Sequence, residues 1–295
     1  MSQDSPINAF TVDVEDYYHV SAFEDRIPRE RWDEYESRVV PNTERMLKLL
    51  DEFQVRGTFF ILGWVADRHP QLVRDIQRAG HEIGCHSFWH RLVYNMTPDD
   101  FREDLLQSAK VIEEITGERV TAYRAPSFSI TAKSLWALDI LIDEGFRIDS
   151  SVFPVVHDRY GIPGAERAPH VIEGQNGQLA EFPPSVYPLG KWNLPISGGG
   201  YFRLFPRRMT KHCLGHINTR ENRPFMFYVH PWELDHEQPR LAGSRLSRFR
   251  HYVNLKHTQS KLRDLLGAFR FGTLSESLQH VTPAPTPSSP AVARQ

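Results

Sequence analysis

Residues 80–90 read GHEIGCHSFWH. Gly80 suits the stop of a preceding helix, residues 81–85 read as a short strand, and His86 and His90 follow four residues apart. On a helical turn that spacing puts two imidazoles on one face, with Cβ atoms about 5–6 Å apart, close enough to grip one metal ion. In a chain with 14 histidines the pair alone is ambiguous, because a surface pair on a turn is spelled the same way. It acquires meaning only if the chain also supplies a carboxylate ligand, a base, an acid and an oxyanion donor. Cys85, beside His86, is expected to be a buried thiol, since adjacent side chains of an extended segment point to opposite faces.

Outward from this stretch, strands and helices alternate. Upstream, residues 7–14 (INAFTVDV) form a strand with an abruptly acidic end: Asp13, Glu15 and Asp16. Asn42 or Thr43 is expected to cap a helix striped by Met46, Leu47, Leu50 and Phe53. Residues 58–62 (TFFIL) read as a buried strand, and residues 70–79 as a helix opened by Pro70. Downstream, Thr97-Pro98-Asp99-Asp100 is a strong helix start, and Phe101, Leu105, Ala109 and Ile112 recur at helical spacing up to Gly117. Residues 120–123 give a strand, 131–144 a helix and 146–148 another strand. This alternation predicts parallel strands with helices outside, as in a barrel or a doubly wound sheet.

Between residues 152 and 206 the pattern loosens. Ser197-Gly198-Gly199-Gly200 reads as a flexible loop, without the Lys and Ser/Thr of a phosphate-binding loop. A helix near 206–219, a strand at 225–229, a long polar helical stretch at 246–266 and a strand near 269–274 follow. The tail at 282–295 (TPAPTPSSPAVARQ) is too rich in Pro, Ser and Ala to pack and is expected to be disordered.

Hydrophobic residues at 40% and charged residues at 24% describe a globular protein, and a net charge of −2 offers no field for nucleic acid. The basic run at 245–250 reads as a solvated face. The start of the chain lacks the look of a secretory signal, and no apolar run reaches the ~18–20 residues needed to span a bilayer. With two cysteines and no disulfide framework, the expectation is a cytoplasmic protein without membrane insertion, and self-association is left open.

Reactive groups of open α/β sheets and (β/α) barrels collect at the C-terminal ends of strands. Here Asp13, Glu15 and Asp16 follow the first strand, and His86 and His90 the third. Arg124, Asp149 and His230 follow later strands. Each alone has a dull reading as a surface acid, a cap or a core histidine, but an apolar barrel end needs none of them.

TVDVED at 11–16, HSFWH at 86–90, RAPSF at 124–128, DSS at 149–151 and VHP at 229–231 occur in the order of the polysaccharide deacetylases, the family-four carbohydrate esterases of the chitooligosaccharide-deacetylase type. The chain most resembles the bacterial subgroup found in exopolysaccharide loci associated with PEP-CTERM protein sorting, over roughly residues 7–278. The resemblance implies a distorted (β/α) barrel of about seven parallel strands with outer helices. It also implies one catalytic domain over residues 1–281, with an extension from about 235, and removal of N-acetyl groups from an amino-sugar glycan in exopolysaccharide synthesis. By analogy Asp13 matches the base, held ionised by Arg124. His86 and His90 match metal ligands, with a divalent ion such as zinc as cofactor (Co, Ni, Mn or Fe also suit such donors). The backbone N–H near Phe128 would bind the oxyanion, and His230 would be the general acid, oriented by Asp149.

The chain departs from the family pattern in its first motif, where Val14 follows Asp13 in place of a second aspartate. By the two-residue strand period Glu15 shares a face with Asp13 and is the favoured carboxylate ligand, with Asp16 the alternative. Tyr17, Tyr18, Trp89, Trp192 and Tyr201 are candidates for stacking on sugar. Two further readings remain: a small-amide hydrolase of the allantoinase type, because the first motif is altered, and a catalytically silent glycan-binding protein on the same fold.

Overall fold

A computed structural model describes residues 5–279; the tail at 282–295 lies outside the described residues. In chain order the strands are β1 (Asn8–Val14), β2 (Thr58–Ile61), β3 (Glu82–Cys85), β4 (Ala122–Tyr123), β5 (Ile148–Asp149), β6 (His170–Glu173), β7 (Gln178–Glu181), β8 (Val186–Leu189), β9 (Trp192–Pro195), β10 (Met226–Val229) and β11 (Phe271–Gly272). Seven of them run parallel in the spatial order β10-β1-β2-β3-β4-β5-β7. β6 adds antiparallel to β7, and β11 pairs with the start of β1. The sheet curls into an incomplete barrel, as the strand–helix alternation predicts. Between β7 and β10 the seam is bridged piecemeal: Ser185 Oγ accepts from Met226 N, and Ser197 O accepts from Tyr228 N.

β1, β2 and β10 are buried along their whole length, which is why they read as near-continuous apolar runs. The helices are α1 (Val39–Glu52), α2 (Gly63–Arg68), α3 (Pro70–Arg78), α4 (Pro98–Thr116), α5 (Trp136–Asp143), α6 (Gly199–Leu204), α7 (Arg207–Thr219), α8 (Arg245–Tyr252), α9 (Thr258–Leu266) and α10 (Leu274–Gln279). α4 follows its sequence signals closely. Thr97 and Asp100 form a reciprocal cap, and Gly117 ends the helix in the left-handed conformation. No helix among the described residues is long and apolar enough to cross a membrane.

Five expectations about local structure are corrected. α1 begins at Val39, not at an Asn42 or Thr43 cap; its first N–H groups, on Arg38 and Val39, are capped from afar by Asp16 Oδ2. The loosened region at 152–206 contains four short strands, β6 to β9, held in antiparallel pairs that leave little periodic trace. Ser197–Gly200 is not a flexible loop. Gly198 lies so close to β10 that a Cβ there would sit 2.0 Å from Tyr228 O. The stretch at 246–266 is two helices, because Arg203 takes the carbonyls of Arg250, His251 and Val253 and so ends α8.

The His86–His90 segment is a loop, and the helical turn expected there does not form. Ser87 and His90 take positive φ values of 62° and 52°, unusual for non-glycine residues and sustained only where neighbours impose them. α4 imposes them. Asp104 accepts from Phe88 N and Trp89 N with its two oxygens, and Ser108 Oγ donates to Ser87 O. Asp104 and Ser108 lie on the buried face of α4 among its apolar stripe. A buried acid on an apolar stripe was the available signal for this role.

Two outcomes follow from these anchors. Gly198→Ala should destabilise the fold by about 1–3 kcal/mol or more through overpacking against β10, seen as a lowered unfolding midpoint. Asp104→Ala leaves the buried Phe88 N–H and the part-buried Trp89 N–H without their acceptor and should cost about 1–3 kcal/mol. Thermal or denaturant unfolding measures both.

Candidate active site

A cleft of about 440 Å³ opens where β1, β3 and β10 end. Its floor carries Asp13, Glu15, His86, His90 and His230. Beneath them lies Arg124, wholly buried. Its Nη1 donates to Asp13 Oδ1 at 2.7 Å and to Thr11 Oγ1 at 2.8 Å, and its Nε and Nη2 bind Ser150 O and Oγ. Asp13 Oδ2 is turned toward His230, whose Nε2 is 3.8 Å away.

Glu15 sits one residue beyond β1, and its N–H donates back to Asp13 O. That turn brings its carboxylate to His86 and His90, so that ligand atoms of all three lie within 4.8 Å of one another. Glu15 Oε1 accepts from Trp232 Nε1. Its Oε2 is buried without a hydrogen-bond partner, 2.6 Å from His90 Nε2. His86 Nδ1 donates to Arg124 O at 2.8 Å, which leaves the Nε2 lone pair facing the cleft. Burial pushes His86 down to about 4, so this ring is neutral near pH 7. Burial works to raise Glu15 as well, but the His90, His230 and His86 rings prevail and hold it far below the usual carboxylate range. Two imidazoles and one buried carboxylate, with ligand atoms this close together, fit a divalent metal ion.

Asp16 is not at this site, contrary to the alternative assignment. It accepts from Ser37 Oγ, Arg38 N and Val39 N through Oδ2 and from Tyr17 N through Oδ1, so its oxygens are consumed at the head of α1. Burial raises it to about 6 despite those bonds.

Asp149 is likewise misassigned as the partner of His230. Its oxygens accept from Ser151 N and Oγ, and it lies beside Glu181 on β7. Burial raises Asp149, and burial together with the Asp149 charge raises Glu181 strongly. The residue that holds His230 is Glu233: His230 Nδ1 donates to Glu233 Oε1 at 2.8 Å. Burial disfavours the charged ring, but Glu233, Glu15 and Asp13 outweigh it and raise His230 to about 9. Glu233 is fixed in turn by the buried Arg203, 2.6 Å away. Trp232 stacks between His230 and His251. His230–Glu233 spells H-P-W-E, and the carboxylate three residues on was the signal missed.

Phe128 lines the cleft, but its N–H donates to Ala125 O, so it does not point a backbone donor into the cavity. Of the stacking candidates only Tyr201 lines the cleft. Tyr17 and Tyr18 are core residues, Trp89 packs on Trp32 and Phe88, and Trp192 stands exposed on β9.

Residues 28–141 match the family model described as "Polysaccharide deacetylase", and residues 150–279 match a domain of unknown function, DUF3473. The first match contains His86, His90 and Arg124 and the second contains His230, whereas Asp13 and Glu15 precede both. A peptidoglycan deacetylase of Helicobacter pylori is 31% identical over 156 residues, 48% of this chain and 52% of that one. The peptidoglycan-N-acetylmuramic acid deacetylase PdaA of Bacillus subtilis is 33% identical over 84 residues, 28% of this chain and 32% of that one. The chain thus spans about half or less of the length of these curated relatives. The crystal structure of a Mycobacterium smegmatis protein assigned as a polysaccharide deacetylase superposes with a TM-score of 0.61 at 23% identity, covering 98% of this chain and 96% of that one, and so shares the fold. The motif order, the family match and these relatives agree: residues 28–141 belong to the polysaccharide deacetylase family.

Proposed function

We propose that the protein is a metal-dependent hydrolase that removes N-acetyl groups from amino sugars of a polysaccharide, oligosaccharide or precursor, in exopolysaccharide assembly. One observation carries this reading. A carboxylate held by a buried arginine (Asp13), a three-donor metal set (Glu15, His86, His90) and an imidazole backed by a carboxylate (His230) converge on one cleft. An N-acetyl amide needs a strong nucleophile, a stabilised oxyanion and a protonated leaving nitrogen. A divalent ion at Glu15, His86 and His90 supplies Lewis-acid polarisation and a lowered pKa for water.

The remaining roles fall to the chain's own groups. Arg124 occupies Asp13 Oδ1, leaving Oδ2 to take the proton of the attacking water. Glu233 keeps the Nδ1 proton of His230, so that the opposite Nε2–H faces the cleft and can be given to the departing amine. Phe128 and Tyr201 form apolar wall against which a sugar ring can lie. The peptidoglycan deacetylases among the relatives support an N-acetylated glycan as substrate.

Acetate release from N-acetylated oligosaccharides tests the reading. Turnover should vanish with a chelator and return with a divalent metal, and Asp13→Asn or His86→Ala should lower it about 10²–10⁴-fold. Undiminished turnover in either variant would exclude this mechanism. Glu233→Gln should lower kcat about 10–100-fold with little change in KM, because the carboxylate orients His230 without touching substrate. A panel of acetylated glycans against small cyclic amides reads out the substrate class.

A further inference from the structure

The mouth of the cleft differs in kind from its floor. α8 buries only Ser247 and His251, one turn apart on its inner side. Its outer side exposes Arg245, Leu246, Arg248, Phe249 and Arg250, with Leu246 at 54% and Phe249 at 55%. Leu246 and Phe249 are three residues apart and share the outward face, flanked by arginines. Two neighbouring segments extend this surface. α6 ends in the exposed Leu204 and is tied to α8 by Arg203, which donates to Arg250 O and His251 O. The loop carrying the exposed Val156 and Arg159 is tied to it by the Arg250–Asp158 ion pair at 3.4 Å. Of the large apolar side chains exposed among the described residues, Val156, Leu204, Leu246 and Phe249 gather on this one rim.

We propose that the rim docks the protein on an anionic lipid surface, with Leu246 and Phe249 entering the headgroup region and Arg159, Arg245 and Arg248 meeting lipid phosphates. Two features select lipid over a sugar chain. Three of the four exposed apolar side chains of the rim, Val156, Leu204 and Leu246, are branched aliphatics that offer neither a hydrogen bond nor a flat ring to a sugar, whereas the headgroup–acyl boundary accepts them as it accepts Phe249. The rim is also basic on a chain whose net charge is −2, so an anionic surface attracts this face and orients the molecule. α8 is eight residues long, so the docking is peripheral and reversible. Leu246, Phe249 and Leu204 also line the cleft mouth, so a docked molecule opens its site toward the surface, where a membrane-attached glycan would lie.

Vesicle flotation of the full chain tests this. The protein should float with vesicles of equal phosphatidylglycerol and phosphatidylcholine, stay behind with phosphatidylcholine alone, and be released by salt. R245E/R248E and, separately, L246S/F249S should each reduce the floated fraction about tenfold, with unfolding midpoints kept. R245E/R248E should retain acetate release from soluble oligosaccharide. Absence of wild-type flotation, or flotation untouched by both variants, overturns the proposal. So does a dimer in light scattering that either variant dissociates without any vesicle binding, which would give the rim to a second copy of the chain. Flotation needs no turnover, so failure of the hydrolase assay leaves this result standing.

Discussion

A guanidinium buried in a sheet interior is tolerable only if every donor finds an acceptor, and Arg124 meets that condition. Its hydrogen bonds reach Thr11 and Asp13 of β1, Ser150 beyond β5 and Met226 of β10, while its plane lies 4.2 Å from the Phe60 ring on β2. One side chain thus crosses the bore of the incomplete barrel and fixes how its strands stand. Its own carbonyl accepts from His86, so the same residue sets the carboxylate and one of the imidazoles. Removing one partner of such a pair costs about 3–5 kcal/mol, because the other charge is left buried. Fold and site are therefore a single construction at this point.

Around that arginine, environment sorts chemically identical groups into different tasks. Glu15, ringed by imidazoles, is held ionised. Asp16, the next residue, is raised to about 6 and spends its oxygens on the head of α1. Asp149 and Glu181 are pushed up together behind the site. His230 is set from the C-terminal half: Arg203 of α6 fixes Glu233, Glu233 fixes His230, and the Trp232 ring stacks on it. The two regions matched by separate family models thus contribute to one cleft, His86 and His90 from the first and His230 from the second, with Asp13 and Glu15 from the segment before both.

Much of this was legible in the chain. The buried strands β1, β2 and β10 are plain apolar runs, and α4 carries its cap and stop in local residues. The strand tips that bear Asp13, His86, His90, Arg124 and His230 follow from the rule that such sheets present chemistry at their C-terminal ends. The Asp16, Asp149 and α1-cap assignments failed for a common reason. A carboxylate's partner is chosen by which backbone N–H or side chain arrives in space, and Asp16 meets α1 across 22 residues of chain.

Local sequence determined the kinds of element, their order and the stock of reactive groups, because hydrophobic period, caps and turn residues act within a few positions. Tertiary structure alone decided which groups face one another. The positive-φ loop of His86–His90 exists because Asp104 and Ser108 hold it, and Glu15 reaches His86 and His90 because the chain turns just past β1. Glu233 displaces Asp149 beside His230 because Arg203, 30 residues earlier, pins it there. These are long-range pairings, and their energies depend on distance, burial and geometry that no short window of residues contains.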